Sequence, residues 1–257
     1  MLAARGTKEL IIIAQDVTAY GKDIYGRLAL PELLRGLCAI DGIEWIRLLY
    51  CYEDSITDEL IETIRSEEKI CKYIDIPLQH ISDRILTNMN RHSTSESIKT
   101  TLKKLRERIP GMHIRTTFIT GFPGETDEDF NELAGFIEEQ KFDRLGVFAY
   151  SREEGTPAAE MPDQVDEEIK EQRRDEIMAI QREISLGGNI SKVGRTLRVL
   201  VEEHCEDGTY MGRTEYDAPD IDDGVIFTSD AELKTGTFVN VEITDAFDYD
   251  LTGKAVL

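Results

Sequence analysis

Short, continuously apolar runs alternate along the first 150 residues with stretches in which apolar positions recur every three or four residues. Residues 9–14 form the first run, as expected of a parallel strand covered on both faces. Residues 45–50, 73–76, 113–119 and 144–150 supply four more. Between them lie helical patterns. Pro31 opens one with Leu33, Leu34 and Leu37 on one side; Ser55 and Asp58 begin another, carrying Leu60, Ile61 and Ile64. Ser82 caps a short helix bearing Ile85, Leu86 and Met89. Ser93 and Glu96 have capping-box spacing before Ile98, Leu102, Leu105 and Ile109, and Pro110-Gly111 ends that helix. Thr126 precedes a helix with Phe130, Leu133, Ala134 and Ile137 on one face. Strands alternating with helices in this way predict repeated βαβ units and a mainly parallel sheet.

The pattern changes after Tyr150. Residues 151–165 are turn-rich, and a long charged helix is expected from Asp166 to about Gly187-Gly188, with Ile169, Ile177, Ile180 and Ile184 inward. Short β segments follow at 196–204, 209–214, 224–228, 237–244 and 251–256, with turns at Asp207-Gly208, Asp223-Gly224 and Thr235-Gly236. They predict a small antiparallel barrel of the OB type. The expected organisation is an α/β domain over residues 1–188 and a β-barrel domain over 189–257.

Composition narrows the function. With 51 acidic and 30 basic residues the 257-residue chain carries a net charge of −21, which repels phosphate backbones and disfavours direct nucleic-acid binding. Residues 190–257 hold 15 acidic against 6 basic side chains, a balance of −9, which suits a basic protein partner through electrostatic steering. No apolar run approaches the roughly 20 residues of a membrane span. Cys38, Cys51, Cys71 and Cys205 show no CxxC or CxxxC spacing, so neither a zinc site nor a cluster loop is expected from this chain. Scattered thiols without a signal peptide fit a reducing cytoplasm.

In parallel α/β sheets ligands bind at the carboxyl ends of the strands, so the candidates lie just beyond each apolar run. Gln15-Asp16 and Gln79-His80 can accept hydrogen bonds from an amino group, and Ser82 can bond a ribose hydroxyl. Arg91 or Arg115 can hold a carboxylate. Gly121-Phe122-Pro123-Gly124 lets backbone approach a flat ring. Each has a plainer reading: a capping loop for Gln15-Asp16, a structural histidine for His80, which as a general base has no evident orienting partner, surface cover for Arg91, and an ordinary turn.

Together the segments resemble the radical S-adenosylmethionine methylthiotransferases, almost end to end. The pieces are Ala14-Gln15-Asp16 with Tyr20-Gly21, Ile74-Asp75-Ile76-Pro77-Leu78-Gln79-His80 with Ser82-Asp83, Met89-Asn90-Arg91, Gly121-Phe122-Pro123-Gly124-Glu125-Thr126, Tyr150-Ser151 and Glu154-Gly155-Thr156-Pro157-Ala158. Gly212-Arg213-Thr214 and Asp217-Ala218-Pro219-Asp220-Ile221-Asp222 look like the TRAM domain of the branch that modifies an aspartate of a small-subunit ribosomal protein. The resemblance implies a partial (βα) barrel of the radical-SAM type, truncated at its first strand, plus a TRAM barrel. It implies S-adenosylmethionine across the strand tips, held by Gln15, Asp16, Gln79, Ser82, Arg91, Arg115, Gly121, Phe122 and Pro123. It also implies two [4Fe–4S] clusters in the full-length protein whose ligands are not here, so the chain by itself is expected to be inactive, with no catalytic or metal residue assigned. Asp217, Asp220, Asp222 and Asp223 are the expected contacts to the basic ribosomal protein. Two alternatives stay open: methylthiolation of a tRNA adenosine, and a non-catalytic acidic binding module.

Overall fold

The computed structural model describes residues 1–206 and 208–256; Asp207, the first residue of one expected turn, lies outside them. The first unit is a parallel sheet of β1 (Glu9–Ile12), β2 (Trp45–Leu48), β3 (Ile70–Gln79), β4 (His113–Thr120) and β5 (Arg144–Ala149), joined in that order. The crossovers carry α1 (Lys22–Tyr25) and α2 (Leu30–Cys38), then α3 (Asp58–Ser66), then α4 (Asp83–Asn88) and α5 (Ser95–Arg108), and finally α6 (Asp127–Gln140). Apart from α1, the helices bury one apolar face each. Leu60, Ile61, Ile64, Ile98, Leu102, Leu105, Leu133 and Ile137 pack with Ile46, Leu48, Ile74, Ile76, Ile114 and Phe118 from the convex side of the sheet. β1 departs from expectation: it lies at the sheet edge with one paired neighbour among the described residues, and Ile11 and Ile13 remain exposed.

Helix starts sit one or two residues from where the sequence pattern puts them. The capping box of α5 is Thr94 with Ser97, not Ser93 with Glu96: Thr94 is in the extended region and its hydroxyl accepts from the Ser97 amide. Thr57, not Ser55, caps α3 in the same way. A cap needs extended backbone and an oxygen reaching the third helical amide, and spacing alone does not fix which of two adjacent hydroxyls meets both demands. Ser82 stands at the start of α4 without a side-chain capping bond.

α7 (Glu167–Ile190) runs past the expected boundary at 188. Its buried stripe is Lys170, Arg173, Ile177, Gln181, Ser185 and Asn189, whereas Ile169 is exposed. Long polar side chains face inward because carbonyls and a carboxylate await them. Lys170 Nζ donates to the Tyr150 carbonyl at 3.2 Å, Gln181 Nε2 to that of Phe142 at 2.9 Å and Asn189 Nδ2 to that of Phe247 at 3.0 Å. Arg173 pairs with Glu125 at 2.8 Å.

The second unit is a closed barrel in the order β10-β8-β7-β6-β9, built from β6 (Thr196–His204), β7 (Tyr210–Arg213), β8 (Val225–Thr228), β9 (Phe238–Ala246) and β10 (Leu251–Val256). It is not wholly antiparallel, because β8 and β10 close it in parallel. Val199, Val201, Val225, Phe227, Val241, Ile243 and Leu251 fill it. Gly212 is required at its position, since a Cβ there would collide with the Leu200 carbonyl oxygen.

The barrel is clasped onto the concave face of the sheet. Arg47, with no exposed side-chain surface, pairs with Glu9 at 2.7 Å and donates to the Glu215 carbonyl at 2.8 Å. Arg213 reaches the other oxygen of Glu9 at 2.6 Å. Arg144 meets Asp217 at 2.8 Å, and Arg115 meets Asp222 at 2.8 Å. The Tyr73 hydroxyl also donates to Asp222, at 2.8 Å. Trp45 packs edge-on against Phe238 at 4.7 Å, and His113 stacks on Tyr216 at 3.8 Å. Two of the carboxylates expected to face a partner are therefore corrected. Asp217 and Asp222 have 4% and 1% of their side chains exposed, because the loop carrying them turns into the chain's own sheet. Burial opposes the Asp217 charge, but the Arg144 guanidinium and the Thr214 hydroxyl hold its carboxyl below the usual range. Burial, reinforced by Asp222, pushes the Tyr73 hydroxyl well up. Only Asp220 and Asp223 of the expected set are exposed.

Removing one partner of a buried pair strands the other. Asp217→Ala is expected to cost about 3–5 kcal/mol in urea unfolding, whereas exposed Asp220→Ala changes it by less than about 0.5 kcal/mol.

Candidate cofactor and substrate site at the strand tips

The barrel plugs the amino-terminal half of the concave face and leaves the carboxyl-terminal half open. Two cavities lie there. One of about 530 Å³ has Met89, Ile119, Phe122 and Met161 as apolar walls and Asn90 and Arg91 as polar ones. The other, of about 810 Å³, is lined by Tyr50, Asp75, Arg115, Thr117, Phe148, Tyr150 and Glu153, and Ile221 of the C-terminal barrel closes one side. Gln79, Ile119, Thr156 and Ala158 line both, so the two spaces share a wall.

Gln79 is the expected residue that this geometry favours most. It has a left-handed backbone, φ 70°, uncommon for a residue with a side chain, and its Oε1 is buried without a hydrogen-bond partner. Strain and an unsatisfied acceptor coincide at the wall the two cavities share, and each calls for an explanation beyond packing. Arg91 borders the smaller cavity, with its guanidinium over the Tyr52 ring at 4.8 Å and a hydrogen bond to the Pro77 carbonyl. Phe122 lines the same space and packs edge-on against Tyr150 at 5.3 Å.

Other expected residues do different work. Asp16 accepts from the Thr18 amide at 2.9 Å and from the Thr18 hydroxyl, so its carboxylate shapes its own loop; exposed Gln15 lines neither cavity. Ser82 is buried, donates to Asp129 at 2.6 Å and lines neither cavity. Arg115 does hold a carboxylate, but the chain's own: Asp222 at 2.8 Å, with Asp75 at 3.6 Å. Gly121 and Pro123 are buried. The close approach that Gly121 permits is by the Lys170 stem, which a Cβ would strike, rather than by a ring.

His80 has the orienting partner that the sequence did not reveal. Its Nδ1 accepts from the Ser82 amide at 3.0 Å, which leaves the hydrogen on Nε2, facing Glu125 Oε2 at 3.2 Å. The other Glu125 oxygen accepts from the Gly121 amide at 2.9 Å and from Arg173 at 2.8 Å. Glu125 thus ties the tips of β3 and β4 to α7. A second knot joins Asp129 to Ser82, Thr126 and Arg84. Burial opposes its charge, yet hydrogen bonds from Ser82, Thr126 and Arg84 bring its carboxyl down to about 2. The sequence reading missed Tyr50, Asp75 and Tyr150 as cavity residues. The available signal was alternation: Asp75, Pro77 and Gln79 fall on the same face of β3.

Residues 1–137 match the Radical SAM superfamily, and residues 193–256 match the TRAM domain. The chain belongs to the radical SAM superfamily. Its relatives include proteins named ribosomal protein uS12 methylthiotransferase RimO. The one from Caldanaerobacter subterraneus is 54% identical over 98% of this chain and 58% of that protein. The one from Clostridioides difficile is 53% identical over 98% and 57%. This radical SAM chain thus spans just over half the length of the relatives it matches. Among solved structures it is similar to the radical SAM enzyme coproporphyrinogen III oxidase (HemN) of Escherichia coli, with a TM-score of 0.49 at 20% identity, covering 60% of this chain and 36% of that one.

The superfamily implies S-adenosylmethionine and an iron–sulfur cluster, and this radical SAM chain fits them unequally. The apolar walls of the smaller cavity, Arg91 and the free acceptor of Gln79 suit a nucleoside joined to an amino acid. The cluster finds no matching donor set among the described residues. Burial pushes the Cys71 thiol up to about 12 and the Cys38 and Cys51 thiols upward. No group of His, Cys, Asp or Glu among the described residues could hold a metal. No helix among them is long and apolar enough to cross a membrane.

Asp129 supplies a pH test. Its lowered pKa stabilises the fold above an unfolded value of about 4, and that contribution is lost as pH falls toward about 2. The gap in urea midpoint between the native chain and Asp129→Asn is expected to be widest near neutral pH and to close across that acid window.

Proposed function

We propose that this chain is the cofactor-binding and substrate-recognition part of an enzyme that inserts a methylthio group at the β-carbon of an aspartate in ribosomal protein uS12. The observation that carries the reading is the pair of cavities sharing Gln79, with relatives of that name matching 98% of the chain in support. Two spaces with a common wall suit a nucleoside cofactor beside a polypeptide side chain. Gln79 would accept from the amino group of S-adenosylmethionine, Arg91 would face its carboxylate, and Phe122 would flank its ring. Asp16 and Ser82 would act only indirectly, by fixing their loops. The radical chemistry belongs to the cofactor and cluster of the complete enzyme; this chain's residues bind and orient.

The C-terminal barrel favours a protein substrate over tRNA. Its charge balance of −9 includes exposed Asp220, Asp223, Glu203 and Glu242, which repel phosphates and attract a basic polypeptide. A ribosomal substrate implies a cytoplasmic enzyme. Since the thiols here do not suit a cluster, the 257-residue chain alone is expected to leave the substrate unmodified.

The natural gene product, incubated anaerobically with S-adenosylmethionine, a reductant and a uS12 peptide, is expected to replace one aspartate β-hydrogen by a methylthio group, read by fragment mass spectrometry. Modified tRNA adenosine with an unchanged peptide would overturn the assignment. In that protein Gln79→Ala is expected to weaken S-adenosylmethionine binding about tenfold or more, the loss of one hydrogen bond to a charged group. Unchanged affinity by calorimetry would remove Gln79 from the site.

A further inference from the structure

We propose that the cavity of about 810 Å³ beneath Tyr50 and Phe148 is the docking point for a basic side chain, arginine or lysine, of the polypeptide substrate. The proposal rests on the reading above, in which the substrate is a basic protein, and adds which of its groups enters which space.

The charge inventory gives the first reason. Asp75 and Glu153 line the cavity with a single guanidinium, that of Arg115, which also pairs with Asp222 behind the wall. Arg115 lies between Asp222 at 2.8 Å and Asp75 at 3.6 Å, so its charge is already matched. Glu153 accepts from the Ser151 hydroxyl at 2.7 Å and has no ion pair among the described residues. A partly enclosed site with a surplus carboxylate favours a cation and repels an anion. A substrate carboxylate would meet that surplus and an arginine already engaged.

The second reason is independent of charge. The Tyr150 hydroxyl is buried, has no hydrogen-bond partner and belongs to a residue lining this cavity. A buried polar atom left free is costly, and a donor-rich guanidinium or ammonium would satisfy it. Aromatic rims supply the third reason. Phe148 is 63% and Tyr50 43% exposed, although both are large apolar residues beside a cavity. Tyr50 is held there against its own preference. Its backbone φ is 58°, fixed by its amide donating to Asp75 at 3.0 Å and its carbonyl accepting from Val17 at 3.0 Å. Exposed aromatic rings beside an acidic space can stack with a cation.

The test uses this chain and two ten-residue peptides that differ at one position, arginine in one and its neutral isostere citrulline in the other. Amide chemical shifts are followed during titration. The arginine peptide is expected to bind about tenfold more tightly, with shifts centred on Tyr50, Phe148 and residues 150–153. Glu153→Gln and Tyr150→Phe should each weaken it severalfold, and the double variant should bind both peptides alike while keeping a folded spectrum. Equal affinity for the two peptides overturns the proposal. So does an arginine preference that survives in the double variant with shifts on the acidic barrel instead. On the natural enzyme, a uS12 peptide whose basic residues are replaced by glutamine should lose at least tenfold in kcat/KM. Unchanged kcat/KM there removes the docking point but leaves the proposed function standing. Failure of the enzyme to modify any aspartate removes that function, and the citrulline comparison still decides the docking point.

Discussion

Buried ion pairs between the concave face of the parallel sheet and the loop after β7 set the geometry of everything else. A charged residue inside a parallel strand must be matched, because isolated charge is intolerable there. Arg47, Arg115 and Arg144 stand on three strands of one sheet and find Glu9, Asp222 and Asp217. Two of those partners come from the C-terminal barrel. Buried pairs add little net stability over apolar packing, since desolvation offsets much of the attraction. What they fix is registry: an arginine and its carboxylate tolerate only one placement of the barrel. The apolar contacts of Trp45 with Phe238 and of His113 with Tyr216 fill the space between them.

That placement explains the form of the site. With the amino-terminal half of the concave face covered, the two cavities that share Gln79 lie at the strand tips, and Ile221 of the barrel loop becomes part of the wall of the larger one. Arg115 sits at the junction of the two regions, belonging to the clasp through Asp222 and to the cavity through its exposure. The barrel is thus part of the site and not an attached accessory. Glu125 and Asp129 perform the corresponding service from the convex side. They bind the turns after β3 and β4 to α6 and α7, so that Gln79 and Phe122 project from a braced rim.

The strands of the parallel sheet and of the five-stranded barrel were legible because alternation and helical periodicity are local. Apolar runs such as 113–119 need only their own residues to announce a strand. Three features were not legible, for related reasons. The inward face of α7 is polar, so a search for an apolar stripe chose Ile169 over Lys170 and Arg173. Asp217 and Asp222 read as contacts for a basic partner, and only the fold shows arginines from distant strands awaiting them. Ser82 and Gly121 sit in the right turns but face the scaffold, because Asp129 and Lys170 arrive from far along the chain. Gln79 was legible from its strand-tip position; its strained backbone was not. The resemblance pointed to the strand tips, where the two cavities lie, but it could not separate residues that line the cavities from those that brace them.

The arginine clasp locks the barrel and the sheet into one body that tumbles as a unit. Amide ¹⁵N relaxation measures this directly. One rotational correlation time shared by residues 9–190 and 196–256 is the expected result, splitting into two when Arg144 and Arg115 are both replaced by methionine. Distinct correlation times in the native chain would contradict the clasp, and with it the joint cavity wall.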